Sequence, residues 1–261
     1  MKKEISSNLI RDIIFLKRKG MKISEISKKY NLNDRTILRY TKGIVHPNKN
    51  LFVLDEKFKK FSDLKAEILG FLSAEGCEVK YTTNYQYKDK RRPKAYIYTS
   101  SFHRIIFTNK DPYLINRFIF LMKKVYNYNA KVRSNGNIEI NVKDIRDDLL
   151  KYSNFGSRRW SVPKIVFDGN LNIKKSWIRA YGDGDGSVEI PRKRIFFKSV
   201  NLKGLKQVQI LLKSLDINSY IRGPYANAYI LITKEIKKYA KIIGFIHKKR
   251  LEKLNFLTKK I

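Results

Sequence analysis

The stretches Ile68-Leu69-Gly70-Phe71-Leu72-Ser73-Ala74-Glu75-Gly76 and Ile178-Arg179-Ala180-Tyr181-Gly182-Asp183-Gly184-Asp185-Gly186 are nearly alike. Each is a mostly apolar run that closes on an acidic residue followed by glycine. Both carry small residues about one helical turn apart, which share a face of a helix and leave no bulk on it. Helices with such faces can cross at close range. If the two cross near their ends, the acidic residues Glu75 and Asp185 come together.

The composition indicates a folded protein with a polyanionic partner. The chain has 261 residues, of which 43% are hydrophobic, so it can bury a core. Its 57 Lys and Arg outnumber 23 Asp and Glu, which gives a formal net charge of +34. Because a compact protein with that charge repels itself, we expect it to bind nucleic acid. The alternative is a lysine-rich thermophile proteome, although such a proteome usually raises Glu as well.

The sequence gives no support to a membrane protein or to a zinc finger. It holds no uninterrupted apolar run of about twenty residues and no basic amphipathic tail. Its start, Met1–Ser6, lacks the apolar core of a signal peptide. Cys77 is the only cysteine, and three scattered histidines match no metal-ligand spacing. These features predict a protein of the reducing cytoplasm that does not contact membranes.

Residues 8–41 predict three short helices. The first runs over Asn8–Arg18 and is ended by Gly20. Ser24 is the predicted cap of a second helix that continues through Tyr30.

A third helix is predicted at Arg35–Tyr40, after the tight turn Asn31–Asn33, with Asn33 or Asp34 as its cap. Helix, short turn and helix at this spacing predict a helix-turn-helix. The segment resembles those of resolvase-like and intron-endonuclease tail domains. The predicted core of the three helices comprises Leu9, Ile13, Leu16, Ile26, Tyr30, Ile37 and Tyr40.

The solvent face of the third helix predicts DNA contacts. It carries Arg35, Thr36 and Arg39, with Lys42 just beyond the helix. The first residues of such a helix meet base edges in a major groove. There, Arg pairs with guanine and Thr contacts the methyl group of thymine. The alternative is a small helical cap whose charged face is only solvated.

The rest of the chain repeats itself. After the two acidic turns come the strand-like segments Arg104–Asn109 and Arg194–Ser199, whose first arginines are candidate DNA contacts. Each half predicts helix, strand pair, helix, strand pair and helix, which is an α+β pattern with antiparallel strands. The further matching segments are Leu114–Val125 with Leu205–Leu215, Ala130–Arg133 with Ser219–Arg222, and Ile138–Val142 with Ala228–Ile232.

An insertion lengthens the first half and falls within Tyr81–Phe102. Tyrosines alternate there with basic residues, among them Lys90, Arg91 and Arg92. Alternating aromatic and basic residues fit an extended hairpin that lies along a nucleic-acid groove. A long solvated loop is the alternative, and the sequence leaves both open.

The two acidic turns predict a metal site. If Glu75 and Asp185 meet at two helix ends, their carboxylates lie beside the free carbonyl groups and the partial negative charge of those ends. Such a set of hard oxygen ligands suits Mg²⁺, with Mn²⁺ as a second candidate. An acidic site inside a strongly positive protein is what metal-dependent hydrolysis of a phosphodiester requires.

From about residue 63 to residue 261, the chain resembles the LAGLIDADG homing endonucleases, in their single-chain form with two motifs. The resemblance rests on both acidic motifs, on the duplicated pattern and on the tail Ile243–Arg250. The segment Val162–Ile165 also resembles the link between the halves of single-chain members.

The resemblance implies two pseudo-symmetric halves in a monomer, each with a saddle of antiparallel strands over double-stranded DNA. It implies that Glu75 and Asp185 bind the metal and take part in catalysis. It also implies a basic residue near the end of a saddle strand that assists the attacking water or the transition state. Lys198 is that candidate in the second half. Thr108 has the matching place in the first half, so Lys110 is a weaker candidate there.

The motifs differ at their earlier acidic position, which is Ser73 in the first and Asp183 in the second. In the family this position caps or packs rather than binds metal. The glycines that close the motifs, Gly76 and Gly186, are predicted to supply left-handed backbone at the helix ends.

The predicted organisation has four parts. Residues 1–47 form a helix-turn-helix domain and residues 48–62 a linker. Residues 63–163 form the first LAGLIDADG half and residues 164–261 the second.

The leading hypothesis is a site-specific endonuclease that hydrolyses double-stranded DNA with the help of metal. A DNA-binding transcription regulator of the same fold without cleavage is the alternative, and an intron RNA maturase is a third. Retention of both carboxylates favours the enzyme, because a regulator has no need of two acids that repel phosphate. Some family members are inteins, but the terminal residues Met1 and Ile261 favour a free-standing enzyme.

Overall fold

The structure, a computed structural model, describes residues 5–41, 58, 60–87 and 96–260. The described residues fall into two compact units, with three N-terminal helices in one and both β-sheets in the other. Most of the linker predicted at 48–62 lies outside the described residues, and so do the predicted DNA contacts Lys42, Lys90, Arg91 and Arg92.

The three N-terminal helices stand where the sequence predicts them. They are α1 (Ser7–Arg18), α2 (Ile23–Tyr30) and α3 (Asp34–Thr41). One isoleucine from each helix is fully buried, and these three side chains form the centre of a small apolar core. They are Ile13, Ile26 and Ile37.

The helix caps and one core position differ in part from prediction. Ser24 lies inside α2, because the Glu25 carboxylate accepts a 3.0 Å hydrogen bond from the Lys22 amide and starts the helix earlier. Asn33 does precede α3, and its side-chain oxygen accepts from the Arg35 amide at 2.8 Å. Tyr40, predicted in the core, is only half-buried.

The second unit repeats an order of helix, hairpin, helix, strand and helix. Its earlier elements are α4 (Asp63–Glu75), β1 (Gly76–Tyr87), β2 (Tyr96–Thr108), α5 (Pro112–Tyr126), β3 (Asn137–Ile140) and α6 (Lys143–Leu150). Its later elements are α7 (Lys164–Phe167), α8 (Leu171–Asp185), β4 (Gly186–Glu189), β5 (Arg194–Ser199), α9 (Leu202–Lys213), β6 (Tyr220–Tyr225), β7 (Ala228–Thr233), α10 (Ile236–Ile242) and α11 (Lys248–Lys260).

Two antiparallel sheets confirm the predicted α+β class. The strand orders are β1-β2-β3 and β4-β5-β7-β6. In each sheet the glycine after the acidic residue is the first paired residue: Gly76 lies opposite Phe107, and Gly186 lies opposite Phe197. Each motif helix therefore passes directly into the first strand of its sheet.

The first sheet departs from the second in two ways. Strands β1 and β2 have 12 and 13 residues, against 4 and 6 in β4 and β5, so the described part of the insertion is an extended hairpin. The strand predicted at Ala130–Arg133 is absent, because within the described residues 127–136 only Val132 makes a bridge, to Ile138.

Helices α4 and α8 cross at their small-residue faces, as predicted. A Cβ atom added to Gly70 would lie 2.9 Å from Ala180 Cβ and would collide with the Trp177 carbonyl oxygen. One added to Gly184 would collide with Ala74. Only residues of this size let the two backbones approach so closely, so these positions fix where the helix ends meet.

The glycines after the motifs serve a different purpose from the one predicted. Gly76 and Gly186 have φ angles of −97° and −83°, which any residue can adopt. A Cβ atom on Gly76 would instead lie 2.8 Å from Leu72 Cα, and one on Gly186 would lie 3.0 Å from Gly182 Cα. The close approach of strand and helix, not left-handed backbone, requires glycine here.

Aromatic rings fill the core beneath the motif helices. Phe71, Phe107 and Phe118 pack together in the first half, with the rings of Phe107 and Phe118 stacked at 4.1 Å. In the second half Trp177 and Tyr181 stack at 5.3 Å, and both are fully buried. Burying one large apolar side chain stabilises a fold by roughly 1.5–3 kcal/mol, so these rings hold each helix firmly on its sheet. None of the described helices is long and apolar enough to cross a membrane.

Candidate functional site

The carboxylates of Glu75 and Asp185 lie close together, at the ends of α4 and α8. Glu75 Oε1 would be 3.7 Å from a Cβ atom on Gly184, the residue before Asp185. Burial raises the pKa of Asp185 to about 7, and the nearby Glu75 carboxylate adds to the rise. Burial also raises the pKa of Glu75, opposed by Arg250 and by the Asn109 amide. The close crossing of the helices thus places two acids where the charge of Glu75 makes Asp185 harder to ionise.

Arg250 on α11 reaches the same helix end, a contact that no motif of the sequence predicted. Its guanidinium donates one hydrogen bond to the main-chain oxygen of Asp183 and a second, of 2.9 Å, to that of Gly184. The sequence predicted free carbonyl groups at the helix ends, and these two instead accept hydrogen bonds from Arg250. Arg250 also lies near enough to Glu75 and Asp185 to favour their charged forms.

Asp183 anchors the start of α11. Its carboxylate is fully buried and accepts hydrogen bonds of 3.0 Å from the Ile246 amide and 2.9 Å from the His247 amide. Burial raises its pKa to about 6 against these bonds. In the first motif Ser73 occupies this position and donates to the Leu69 carbonyl oxygen at 2.8 Å. Both residues therefore hold backbone, as the family resemblance implies.

Asn109 contacts the first acid, and Lys110, the weaker candidate for the basic residue of this half, follows it in the chain. The Asn109 amide donates a 3.1 Å hydrogen bond to Glu75 Oε1 from the end of β2. Lys110 is exposed beside it. Next in the chain, Asp111 lies 3.3 Å from His247 Nε2, just before α11. A polar residue directly after a strand that pairs with the motif glycine was the signal that could have found Asn109.

Lys198 lies on the open face of the second sheet. In β5, Ile195 and Phe197 point into the core, whereas Arg194, Phe196 and Lys198 alternate on the other face. Lys198 is exposed and follows Phe197, the partner of the motif glycine. Its position near the strand end agrees with the expected one, and its catalytic role stays a prediction.

The two arginines that were predicted to contact DNA from the strands β2 and β5 each pair with a glutamate on a neighbouring strand. Arg104 contacts Glu139 at 3.1 Å, and Arg194 contacts Glu189. Each glutamate has a second arginine within 4 Å: Arg133 at 3.3 Å for Glu139, and Arg192 at 3.4 Å for Glu189. The charge of each cluster stays positive. Arg194 also borders a cavity of about 680 Å³ on the open face, together with Arg192, Tyr220, Arg222, Tyr225, Ile230, Ile232 and Lys234.

The predicted DNA contacts of α3 are accessible. Arg35 and Arg39 are exposed, and Thr36 is half-buried. The described part of the chain holds no group of three or more His, Cys, Asp or Glu side chains that could enclose a metal ion. Glu75 and Asp185 therefore form a pair of acids rather than a complete protein cage.

These features define a class of protein: an α+β fold in which two helices cross at small-residue faces and end in neighbouring carboxylates. Residues 172–244 match the family model described as a LAGLIDADG-like domain. The matched region contains the second acidic motif and all four strands of the second sheet. This region of the chain is LAGLIDADG-like, as its motif predicted.

The curated relatives match only in part. Elongation factor 2 of Methanopyrus kandleri is 34% identical over 90 residues, which are 34% of this chain and 7% of that protein. The DNA-directed RNA polymerase subunit Rpo1C of Methanocaldococcus jannaschii is 31% identical over 160 residues, which are 58% of this chain and 18% of that one. The chain thus spans less than a fifth of either relative.

Two kinds of solved structure are similar. I-DmoI in complex with DNA and Mn has a TM-score of 0.48 at 18% identity, over 69% of this chain and 96% of that one. Full-length DUF199/WhiA from Thermatoga maritima has a TM-score of 0.47 at 18% identity, over 78% of this chain and 64% of that one. At this sequence identity, both likenesses concern the fold alone.

Proposed function

We propose that this protein is a site-specific endonuclease that hydrolyses both strands of duplex DNA with the help of a divalent metal ion. The observation that carries the proposal is the meeting of Glu75 and Asp185 at two helix ends in a protein with a net charge of +34. Two acids that repel DNA have a purpose in such a protein if they hold a cation. Without one, their proximity costs stability.

The residues present fit Mg²⁺, with Mn²⁺ as the alternative. Because Arg250 occupies the Asp183 and Gly184 carbonyl groups, the chain offers two carboxylates and little else at this point. Mg²⁺ in proteins is commonly bound by one or two carboxylates together with water and substrate phosphate oxygens. The raised pKa of Asp185 also marks a place where an added positive charge is favourable.

The chain supplies two positive groups to the reaction. A cation at the carboxylates would supply charge stabilisation to the attacking and leaving oxygens of the phosphodiester. Arg250 holds the end of α8, and its charge offsets the repulsion between the two acids and an approaching phosphate. Lys198, exposed on the open face, is the proposed basic residue that assists the attacking water or contacts the scissile phosphate.

The open faces of the sheets form the proposed DNA interface. Basic residues that line the cavity on the second sheet can neutralise backbone phosphates. Arg104 and Arg194 are held by glutamates in fixed orientations, and a fixed guanidinium can read guanine in the major groove. Helix α3, in the proposed helix-turn-helix domain of residues 1–47, adds Arg35, Thr36 and Arg39.

The proposed organisation is a monomer with two halves, residues 63–163 and 164–261, joined to the N-terminal domain by a linker at 48–62. The proposed location of the protein is the cytoplasm. The curated relatives bear unrelated names and share only a small part of their length with the chain.

The decisive experiment gives the full chain a random duplex library with Mg²⁺ and sequences the new ends. The proposal expects a single enriched motif with breaks at fixed positions on both strands. No enrichment of ends with either Mg²⁺ or Mn²⁺, in a preparation that binds DNA, would refute the enzyme.

A non-cleaving DNA-binding regulator is the second candidate, and Arg250 is the observation that favours it. Its guanidinium already provides a positive charge near both carboxylates, so the fold could tolerate the acids without metal. A protein that selects one duplex from the library and never cuts it would support the regulator.

A further inference from the structure

Tyr181 differs from its counterpart in the first motif by one hydroxyl group. It stands four residues before Asp185 on α8, and Phe71 stands four residues before Glu75 on α4. Residues four apart lie on the same helix face, so the Tyr181 ring lies below the Asp185 carboxylate. Stacking on Trp177 and Phe197, at 5.3 and 5.8 Å, fixes the ring in place.

The Tyr181 hydroxyl is fully buried and has no hydrogen-bond partner in good geometry among the described residues. Its polar neighbours are the Asp185 carboxylate and the Ser199 hydroxyl on β5. An unsatisfied buried hydroxyl costs a fold roughly 1–3 kcal/mol, and phenylalanine would avoid that cost. Phe71 shows that the same place in the first motif accepts a ring without a hydroxyl.

The proton of this hydroxyl is available for donation. A phenol ordinarily keeps its proton at neutral pH. The ionised carboxylate beside it has no proton of its own and can only accept a hydrogen bond.

The first acid already has an equivalent neutral donor. The Asn109 amide, just after β2, donates a hydrogen bond to Glu75 Oε1 and does not bond to the other carboxylate oxygen. The second half has Ser199 near the end of its own strand, but that hydroxyl lies beside Tyr181. The two halves thus reach one arrangement, an acid with one neutral donor, by different residues.

We propose that Tyr181 is a positioning residue: its hydroxyl donates to one oxygen of Asp185 and turns the other toward the metal ion. The inference rests on the proposed function, since it assigns Asp185 as a ligand. Donors behind a ligating carboxylate set its orientation, and their removal lowers metal affinity by about 10- to 100-fold.

The test measures Mn²⁺ binding to the full chain without DNA, by the loss of the electron paramagnetic resonance signal of free Mn²⁺. Tyr181→Phe removes the hydroxyl and keeps the ring. Tyr239→Phe is the matched control, because Tyr239 is equally buried with an unpartnered hydroxyl, but its acidic neighbour is Asp183. Thermal melts of both variants report any loss of stability.

The expected result is a dissociation constant about tenfold higher for Tyr181→Phe and unchanged for Tyr239→Phe. Equal affinity in Tyr181→Phe and the wild type, or an equal loss in both variants, would overturn the positioning role. Asp185→Asn separates this inference from its basis. If the wild type binds Mn²⁺ no better than Asp185→Asn, the metal site and the inference both fail. If the wild type binds Mn²⁺ better than Asp185→Asn does, and Tyr181→Phe binds it as well as the wild type, only the inference fails.

Discussion

Arg250 donates a 2.9 Å hydrogen bond to the main-chain oxygen of Gly184, the residue before Asp185. A second bond from the same guanidinium reaches the Asp183 carbonyl. A side chain of α11 therefore occupies the end of α8 at the point where the two acids meet. This contact holds the end of α8 and brings a positive charge near both acids.

Replacing Arg250 with Lys should reduce cleavage strongly, because one ammonium group cannot reproduce the two-pronged contact with the carbonyl groups. We expect the single-turnover cleavage rate of the selected duplex to fall by roughly 100-fold, since losses of this size follow misplacement of catalytic groups. Lys259→Ala, an exposed site at the far end of α11, is the control and should cut normally. Full activity in Arg250→Lys would show that the charge alone is sufficient.

Neutralising either acid should abolish cleavage and leave binding intact. Glu75→Gln and Asp185→Asn remove a metal ligand and a charge that repels phosphate, so DNA affinity should stay equal or increase. Gel shifts in Ca²⁺ and cleavage assays in Mg²⁺ measure the two effects on the same duplex. Glu252→Gln, an exposed acid on α11, serves as the control. Normal cutting by either active-site variant would show that the roles are wrongly assigned.

The stability of the metal-free protein should fall as the pH rises from about 4 to about 8. The folded pKa of Asp185 is about 7, above the ordinary value of about 3.9. The folded state thus binds more protons than the unfolded state, and stability is lost as the pH passes from the lower value through the higher.

Melting temperatures across this pH range, for the wild type and Asp185→Asn, isolate the contribution of Asp185. The fall should be smaller in the variant, in which the shifted pKa of Asp183 remains. Added Mg²⁺ or Mn²⁺ should raise the melting temperature of the wild type at pH 8. Parallel curves for the two proteins would contradict the shifted pKa.

Replacing Gly184 with a larger residue should push the two motif helices apart. Replacing its neighbour Ala74 with glycine should restore their close approach. Gly184→Ala forces a clash with Ala74, and overpacking of this kind costs about 1–3 kcal/mol of unfolding free energy. Adding Ala74→Gly removes the clash. We expect the double variant to unfold at a higher denaturant concentration than Gly184→Ala. Strictly additive losses would mean that the helices do not meet at these residues.

Removing the charge of Glu189 should loosen DNA recognition. Glu189→Gln releases Arg192 and Arg194 from ion pairs and makes the cavity on the second sheet more positive. Affinity for unrelated duplexes should rise more than affinity for the selected one, because phosphate attraction does not depend on sequence. Competition binding at one fixed salt concentration measures the ratio. An unchanged ratio would exclude Arg194 from base reading.

The sequence predicted much of the fold because its signals are local. Small residues one turn apart in each motif mark a helix face, and strand segments in matching order mark a duplication. These patterns gave the α+β class, the close crossing at Gly70 and Gly184, and the meeting of Glu75 with Asp185. Helix caps were less certain, because a glutamate that reaches back to its own cap amide, as Glu25 does, competes with a nearby serine.

By itself, the sequence determined which acids meet, since their place in each motif helix follows from a period of about four residues. Only the tertiary structure decided what surrounds them. Arg250 binds carbonyl groups at the end of α8, Asn109 rather than Lys110 contacts Glu75, and the Tyr181 hydroxyl is buried. All three depend on how elements that are distant in the sequence pack together. The physical reason is that a side chain contacts the groups that helix crossings and strand ends bring near it. These distances are set by the packing of whole elements, and a local sequence pattern does not contain them.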